Sequence, residues 1–320
     1  MTSSRRSLPR ARALACLLMV LTLALLSARV ARAESPGIRW IDVGQGSAAL
    51  VVGTAGEVVM IDSGPSAGAE VVVRALREHG IGRVQLWVHT HFDADHVGGV
   101  TRAVAGEDGL LGTFDDIEVA AFWDRGLDHA PSTAALTRYL ELTGDRRHGV
   151  SRGARWVAEG LELEVVTGDP TATAETTPEN ARGIALCVRV AGVTLLAPGD
   201  LPAAAVAEAA ARCHPVDVLW ASHHGARDGT DSAVLATLDA GAIVIITAGM
   251  SNSYCHPDPG VLTLLLGHDV RMTGAAGVDP RADCASLITV LGAGHSIVAG
   301  DVWLPLTQNL PERDGAGESR

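Results

Sequence analysis

The chain has 320 residues, 47% of them hydrophobic and 3% aromatic, enough for one large α/β domain with an aliphatic, Ala-rich core. Its formal charge is −12, and every basic residue is Arg, with no Lys anywhere. So acidic a chain excludes a broad nucleic-acid-binding surface, which needs a basic groove to release counterions, though not a local Arg cluster.

The first 33 residues read as a secretory signal. Arg5, Arg6, Arg10 and Arg12 precede an apolar run over residues 13–26, and Ala31-Arg32-Ala33 supplies a small-residue cleavage site after Ala33. Ser4-Arg5-Arg6-Ser7-Leu8 is similar to a twin-arginine signal, which would export a folded protein. A general secretory signal is the favoured alternative. The apolar run is short for a membrane span, so none is expected in the mature chain. Cleavage removes six Arg and no acid, taking the formal charge from −12 to −18. Four cysteines then remain, Cys187, Cys213, Cys255 and Cys284, with three possible disulfide connectivities in an oxidising compartment. Their wide spacing excludes a CxxC motif, and buried free thiols are the alternative.

The mature chain opens with a strand over 38–43 that breaks at Gly44-Gln45-Gly46, followed by a strand over 49–52. The glycines allow close approach to an ion or substrate, or simply make a hairpin turn. A strand over 58–61 ends in Asp62-Ser63-Gly64. Asp62 is read as an acceptor for a metal-ligand His or as a turn cap. Helical spacing over 69–79 stops at Gly80. Residues 84–88 form a short β-branched run, a buried strand, which breaks into His91, Asp93, Asp95 and His96. Four potential ligands within six residues suit divalent transition metals, which take imidazole and carboxylate together. His89, just ahead of them, is read as a packing or rim residue. A helix over 97–104 follows.

Residues 106–153 are irregular and read as a loop-rich insert bordering the substrate, with one helix near 133–142. A strand over 161–166 leads into a turn-rich segment, 167–177. Strands 184–190 and 193–197 form a hairpin across Ala191-Gly192, ending in Pro198-Gly199-Asp200 ahead of a helix over 202–212. A buried strand over 216–221 ends in Ser222-His223-His224-Gly225. Another, over 243–248, leads to Ser251-Asn252-Ser253-Tyr254-Cys255-His256-Pro257. A helix over 261–267 and strands over 286–291 and 296–299 close the domain, 34–305. The tail from 306 to 320 is polar and reads as disordered.

The string His91-x-Asp93-x-Asp95-His96 resembles the His-x-His-x-Asp-His signature of the metallo-β-lactamase superfamily, with Asp93 in place of the second His. Thr-His-x-Asp-Ala-Asp-His-x-Gly-Gly is similar to the hydrolase domain of ComEC-type competence proteins and their stand-alone relatives. Asp-Val-Gly-Gln-Gly, Ser-His-His-Gly and Asn-Ser-Tyr-Cys-His-Pro resemble further motifs of that domain in the same order, Cys255 standing where the family has Gly. Glu179-Asn180-Ala181-Arg182-Gly183 occupies the place of its Asn-Asp-Asn-Ser; only Asn180 is kept.

The resemblance implies an α/β fold, a four-layer αβ/βα sandwich, in which strands ending at one edge bring distant ligands together. It implies two divalent metal ions, zinc or manganese. One is held by Asp95, His96, His223 and bridging Asp200, the other by His91, Asp93 and Asp200. His223 is the chosen ligand, with the reverse assignment to His224 open. The second, oxygen-rich site leans towards manganese. Metal-assisted hydrolysis follows, with a bridging hydroxide as nucleophile and no Ser or Cys needed. Asp95 counts in the catalytic set, with His224 or His256 protonating the leaving group. The expected activity is that of an exported, periplasmic or extracellular phosphodiesterase or nuclease-like hydrolase. Its substrate would be a small-molecule, nucleotide or nucleic-acid phosphodiester. A β-lactamase-like amide or ester hydrolase and a non-catalytic metal-binding domain are the alternatives.

Overall fold

The structure is a computed structural model that describes residues 35–167, 176–239, 241–249, 252–274, 296–297 and 300–306. The signal segment, the strand read over 286–291, Cys284 and residues 307–320 lie outside the described residues.

Fifteen strands are described, seven in one sheet and eight in another. The first sheet takes β1 (Gly37–Trp40), β2 (Ala49–Val52), β3 (Val58–Ile61), β4 (Arg83–Val88), β5 (Glu118–Asp124) and β6 (Arg147–Gly149). The second takes β7 (Arg155–Ala158), β8 (Leu161–Val165), β9 (Leu186–Val190), β10 (Val193–Ala197), β11 (Val218–Trp220), β12 (Ile243–Ile246), β13 (Asp269–Met272) and β14 (Ser296–Ile297). The last strand, β15 (Val302–Pro305), returns to the first sheet. The orders are β15-β1-β2-β3-β4-β5-β6 and β14-β13-β12-β11-β10-β9-β8-β7.

Side-chain alternation explains the layering. Alternate residues such as Ile38, Trp40, Val51, Val59, Leu86 and Val88 meet Leu163, Val188, Leu195, Val218 and Ile245 between the sheets. Leu50, Met60, Trp87 and Phe122 face the other way, under helices Ala69–Glu78, Val100–Val104 and Ala134–Thr143. Cys187, Leu196, Leu219, Val244 and Ile246 pack under helices Ala203–Cys213 and Pro259–Leu264. The result is the four-layer αβ/βα sandwich. Strands covered on both faces read as continuous apolar runs, which is why β2 and β3 stand out in the sequence. Each fully buried aliphatic side chain contributes about 1.5–3 kcal/mol of burial, so a one-residue register slip would forfeit a whole layer.

Two local readings change. Residues 106–153 are not a loop-rich insert: β5 pairs in parallel with β4, and β6 with β5, extending the first sheet beside the metal loop. The helix expected over 97–104 is two short helices, Ala94–Val97 and Val100–Val104, so Asp95 and His96 sit inside the first of them. Cys187 on β9 is disulfide-bonded to Cys213 at the end of its covering helix. Closing a loop of that length stabilises the fold by about 2–4 kcal/mol. Cys255 is disulfide-bonded as well. No helix among the described residues is long and apolar enough to cross a membrane.

Candidate metal centre

The C-terminal ends of β3, β4, β10, β11 and β12 meet at one edge of the sandwich. They deliver Asp62, His89 to His96, Asp200, His223 to His224 and Thr247 in turn. The β10 end is drawn in by close backbone approach. Gly199 adopts a φ of +58°, and a Cβ there would sit 2.7 Å from Thr90. On the opposite side Gly46 lies against the Asp95 carbonyl, which also accepts the Ser47 N–H at 3.0 Å. Gly46 therefore admits the backbone of the metal loop.

Asp200 is the focus. Its Oδ1 lies 3.1 Å from His96 Nε2. Its Oδ2 lies 3.8 Å from Nε2 of each of His91, His223 and His224. His91, His96 and Asp200 place ligand atoms within 4.8 Å of one another, and so do Asp95, His96 and His224. Asp93 Oδ2 is 3.6 Å from His91 Nε2, with the Asp93 side chain 41% exposed.

The far sides of the imidazoles are occupied, which fixes their tautomers. His96 Nδ1 donates to Asp62 Oδ2 at 2.8 Å. The Thr90 hydroxyl donates to the same oxygen at 2.9 Å and so accepts from His91 Nδ1 at 3.1 Å. His224 Nδ1 donates to the Thr247 carbonyl at 2.8 Å. Each ring thus turns its Nε2 inward, the arrangement that carboxylate and carbonyl acceptors impose on metal-binding His. His91 Nε2, His96 Nε2 and Asp200 Oδ1 are buried with no hydrogen-bond partner. Buried polar atoms ordinarily find one, so three orphans facing one point fit a bound cation.

The electrostatics agree. Burial disfavours charge at His96, but Asp200 and Asp62 overcome it and raise its pKa well above the ordinary imidazole value. Burial likewise opposes charge at His224, yet Asp200 and the Asp95 hydrogen bond raise it. Burial would raise the Asp95 and Asp200 carboxyls; the surrounding imidazoles hold both low. The cluster favours positive charge at its centre, whether protons or a cation.

The two adjacent histidines take different places. His224, not His223, approaches Asp95, with Nε2 3.1 Å from Asp95 Oδ2. His223 belongs to neither three-residue group, and nor does Asp93. Its Nδ1 is 3.0 Å from Asp228 Oδ1, and Asn180 Nδ2 is 3.3 Å from its Nε2. The physical reason is the turn itself. His223, His224 and Gly225 have φ values of +52°, +56° and +78°, a left-handed run that aims the second imidazole inward and the first towards the mouth. Ser222 pins this turn by donating to the Gly199 and Leu201 carbonyls, which ties the Asp200 and His224 loops together.

His256 stands 5.2 Å from the His223 ring. Burial and then His223 and His224 push its pKa down to about 4, so it is neutral at pH 7. Cys255 takes a φ of +58°, the backbone region in which the family pattern has Gly. His89 is a packing residue. It is fully buried, stacks on Trp87 at 6.2 Å and meets Tyr139 at 4.9 Å. Burial pushes its pKa down to about 4. Asp62 does accept from a cluster His. Thr90 and the Thr247 carbonyl were missed, because a hydroxyl or carbonyl acceptor leaves no mark in sequence spacing.

The model of the metallo-beta-lactamase superfamily matches residues 41–248. The chain is 25% identical over 253 residues to ComE operon protein 3 of Bacillus subtilis, covering 72% of this chain and 31% of that one. It is 24% identical over 236 residues to competence protein ComA of Neisseria gonorrhoeae, covering 72% and 30%. The chain thus spans about a third of the length of these curated relatives. Among solved structures, a metallo-β-lactamase from Cronobacter sakazakii aligns at 17% identity and a TM-score of 0.38, covering 58% of this chain and 78% of that one. CmlA, a diiron β-hydroxylase from Streptomyces venezuelae, aligns at 12% identity and a TM-score of 0.45, covering 85% and 54%.

Proposed function

The chain belongs to the metallo-β-lactamase superfamily, and from that premise we propose that it is an exported metal-dependent hydrolase of phosphodiesters. The observation that carries this reading is the set of inward-facing lone pairs around Asp200. In it, His91, Asp93 and Asp200 would hold one divalent ion, and Asp95, His96, His224 and Asp200 would hold the other. When bound, the ions supply an ionised water near neutral pH and polarise the oxygen under attack.

The chain's own residues do the rest. Asp62 fixes the His96 tautomer directly and that of His91 through Thr90. His224 Nε2 and Asp95 Oδ2, 3.1 Å apart, would converge on the same ion. With Nδ1 committed to Thr247, His224 is a ligand rather than a proton donor. His223, oriented by Asp228 at the mouth, takes that role in its doubly protonated form, in which Nε2 gives up its contact with the Asn180 amide and passes its proton to the leaving oxygen. His256, neutral at pH 7, lines the same wall.

Phosphodiester is favoured over lactam by Asp93 in the second ligand position, by the His-His-Gly turn and by the likeness to two competence proteins. Export is supported by the amino-terminal sequence pattern and by the Cys187–Cys213 disulfide, a bond suited to oxidising compartments. Hydrolysis of bis-p-nitrophenyl phosphate and of nitrocefin, each with added manganese or zinc, tests the reading. Turnover of the ester alone is expected; turnover of nitrocefin alone would assign the amide reaction instead. Turnover of neither would leave a non-catalytic metal-binding domain. His223→Ala should slow esters with alkoxide leaving groups about 100-fold while sparing p-nitrophenolate, which departs unprotonated.

A further inference from the structure

A buried ion pair lies behind the metal loop and takes no part in ligation. The Glu179 carboxylate accepts Arg125 Nε at 2.8 Å on one oxygen and Arg125 Nη2 at 2.5 Å on the other. The side chains are 3% and 14% exposed. The first of those oxygens also accepts the backbone N–H of Phe92 at 2.9 Å. The Arg125 guanidinium lies 4.6 Å from the Phe92 ring centroid and donates to the Asp128 carbonyl at 2.9 Å. Phe92 is the residue between His91 and Asp93, so its backbone and its ring are both clamped.

We propose that the Arg125–Glu179 pair is the positioning element for the His91–Asp93 side of the centre and sets how tightly that side holds its ion. The proposal rests on the two-ion reading above. Arg125 directly follows β5, which pairs with β4, so the clamp ties the metal loop to a rigid neighbour. Glu179 leads into Asn180, which contacts His223, and the Ile184 N–H donates to the Thr90 carbonyl at 3.0 Å. Residues 179–184 thus run along the backbone of Thr90 to Phe92. A buried ion pair is a poor general stabiliser compared with apolar packing. A bidentate pair does fix geometry, and this one fixes the peptide on which His91 and Asp93 turn.

The test is manganese binding to the full chain by equilibrium dialysis, with thermal unfolding of the metal-free protein in parallel. Glu179→Ala and Arg125→Met should weaken the looser ion 10–100-fold and leave the firmer ion unchanged. Glu179→Gln keeps an acceptor for the Phe92 N–H and should lose less than Glu179→Ala. Arg125→Lys keeps the charge but loses the fork and the stacking on Phe92, so its loss should fall between wild type and Arg125→Met, which keeps the test open if the harsher variants do not fold. Unchanged affinity for both ions, however far the unfolding temperature falls, would reduce the pair to a structural role and overturn the proposal. Equal weakening of both ions would overturn it too. A wild type that binds fewer than two ions overturns the functional reading beneath it, and that outcome appears before any variant is made.

Discussion

The two sides of the centre are held by different means. On the Asp95, His96 and His224 side, each ring is locked from behind by an acceptor at the end of another strand. These are Asp62 after β3 and the Thr247 carbonyl after β12. On the other side, His91 reaches Asp62 only through the Thr90 hydroxyl, and Asp93 stays 41% exposed. Its rigidity comes through the backbone, where Glu179 and Arg125 grip Phe92. A ligand locked by its own side-chain hydrogen bond is preorganised before the ion arrives. A ligand placed by a tethered peptide keeps more freedom and binds less tightly. On the two-ion reading proposed above, one fold edge would build a firm site and an adjustable one from the same loop.

The comparison can be broken at its shared point, Asp62. Asp62→Asn preserves shape but presents an amide in place of the acceptor shared by His96 and Thr90. Metal affinity should drop 10–100-fold on both sides, measured by titration with manganese or zinc. Thr90→Val cuts only the relay to His91, so about tenfold weakening confined to the looser ion is expected. Equal effects of the two variants on the two ions would erase the distinction drawn here.

A smaller effect is readable in pH. Asp200 and Asp62 raise the His96 pKa above 6.5 in the folded chain, and Asp200 raises that of His224. A raised His stabilises the fold fully below its unfolded value and loses that contribution as pH climbs through the folded one. Asp95 and Asp200 are depressed, so their contribution is present above 3.8 and lost on acidification. The metal-free protein should therefore unfold at a lower temperature at pH 9 than at pH 6. Metal-loaded protein should gain on the metal-free form over the same range, because protons leave the ligands as the ion binds. A metal-free unfolding temperature that is flat between those pH values would contradict the charge assignment.

The strands that carry the ligands were legible because both of their faces are buried, giving unbroken apolar runs that end abruptly in His or Asp. β2 and β3 occupy the residues expected. β5 and β6 were hidden. β5 alternates exposed with buried residues, and β6 has three residues, too few for a period to register. The different directions of His223 and His224 were not available from spacing, since they depend on three consecutive left-handed residues. Arg125 and Glu179 are 54 positions apart, and only the fold makes them neighbours. The central stretch was legible for a different reason: four ligands in six residues have few uses apart from a metal.

The account depends on the cluster around Asp200 holding two cations of unequal affinity. The direct measurement is the metal content and binding isotherm of the purified chain, beside the Asp95→Ala, His96→Ala double variant. Two ions per wild-type chain with separable affinities, and loss of the firmer one with all turnover in the variant, are predicted. Metal content and turnover left intact by the double variant would contradict it.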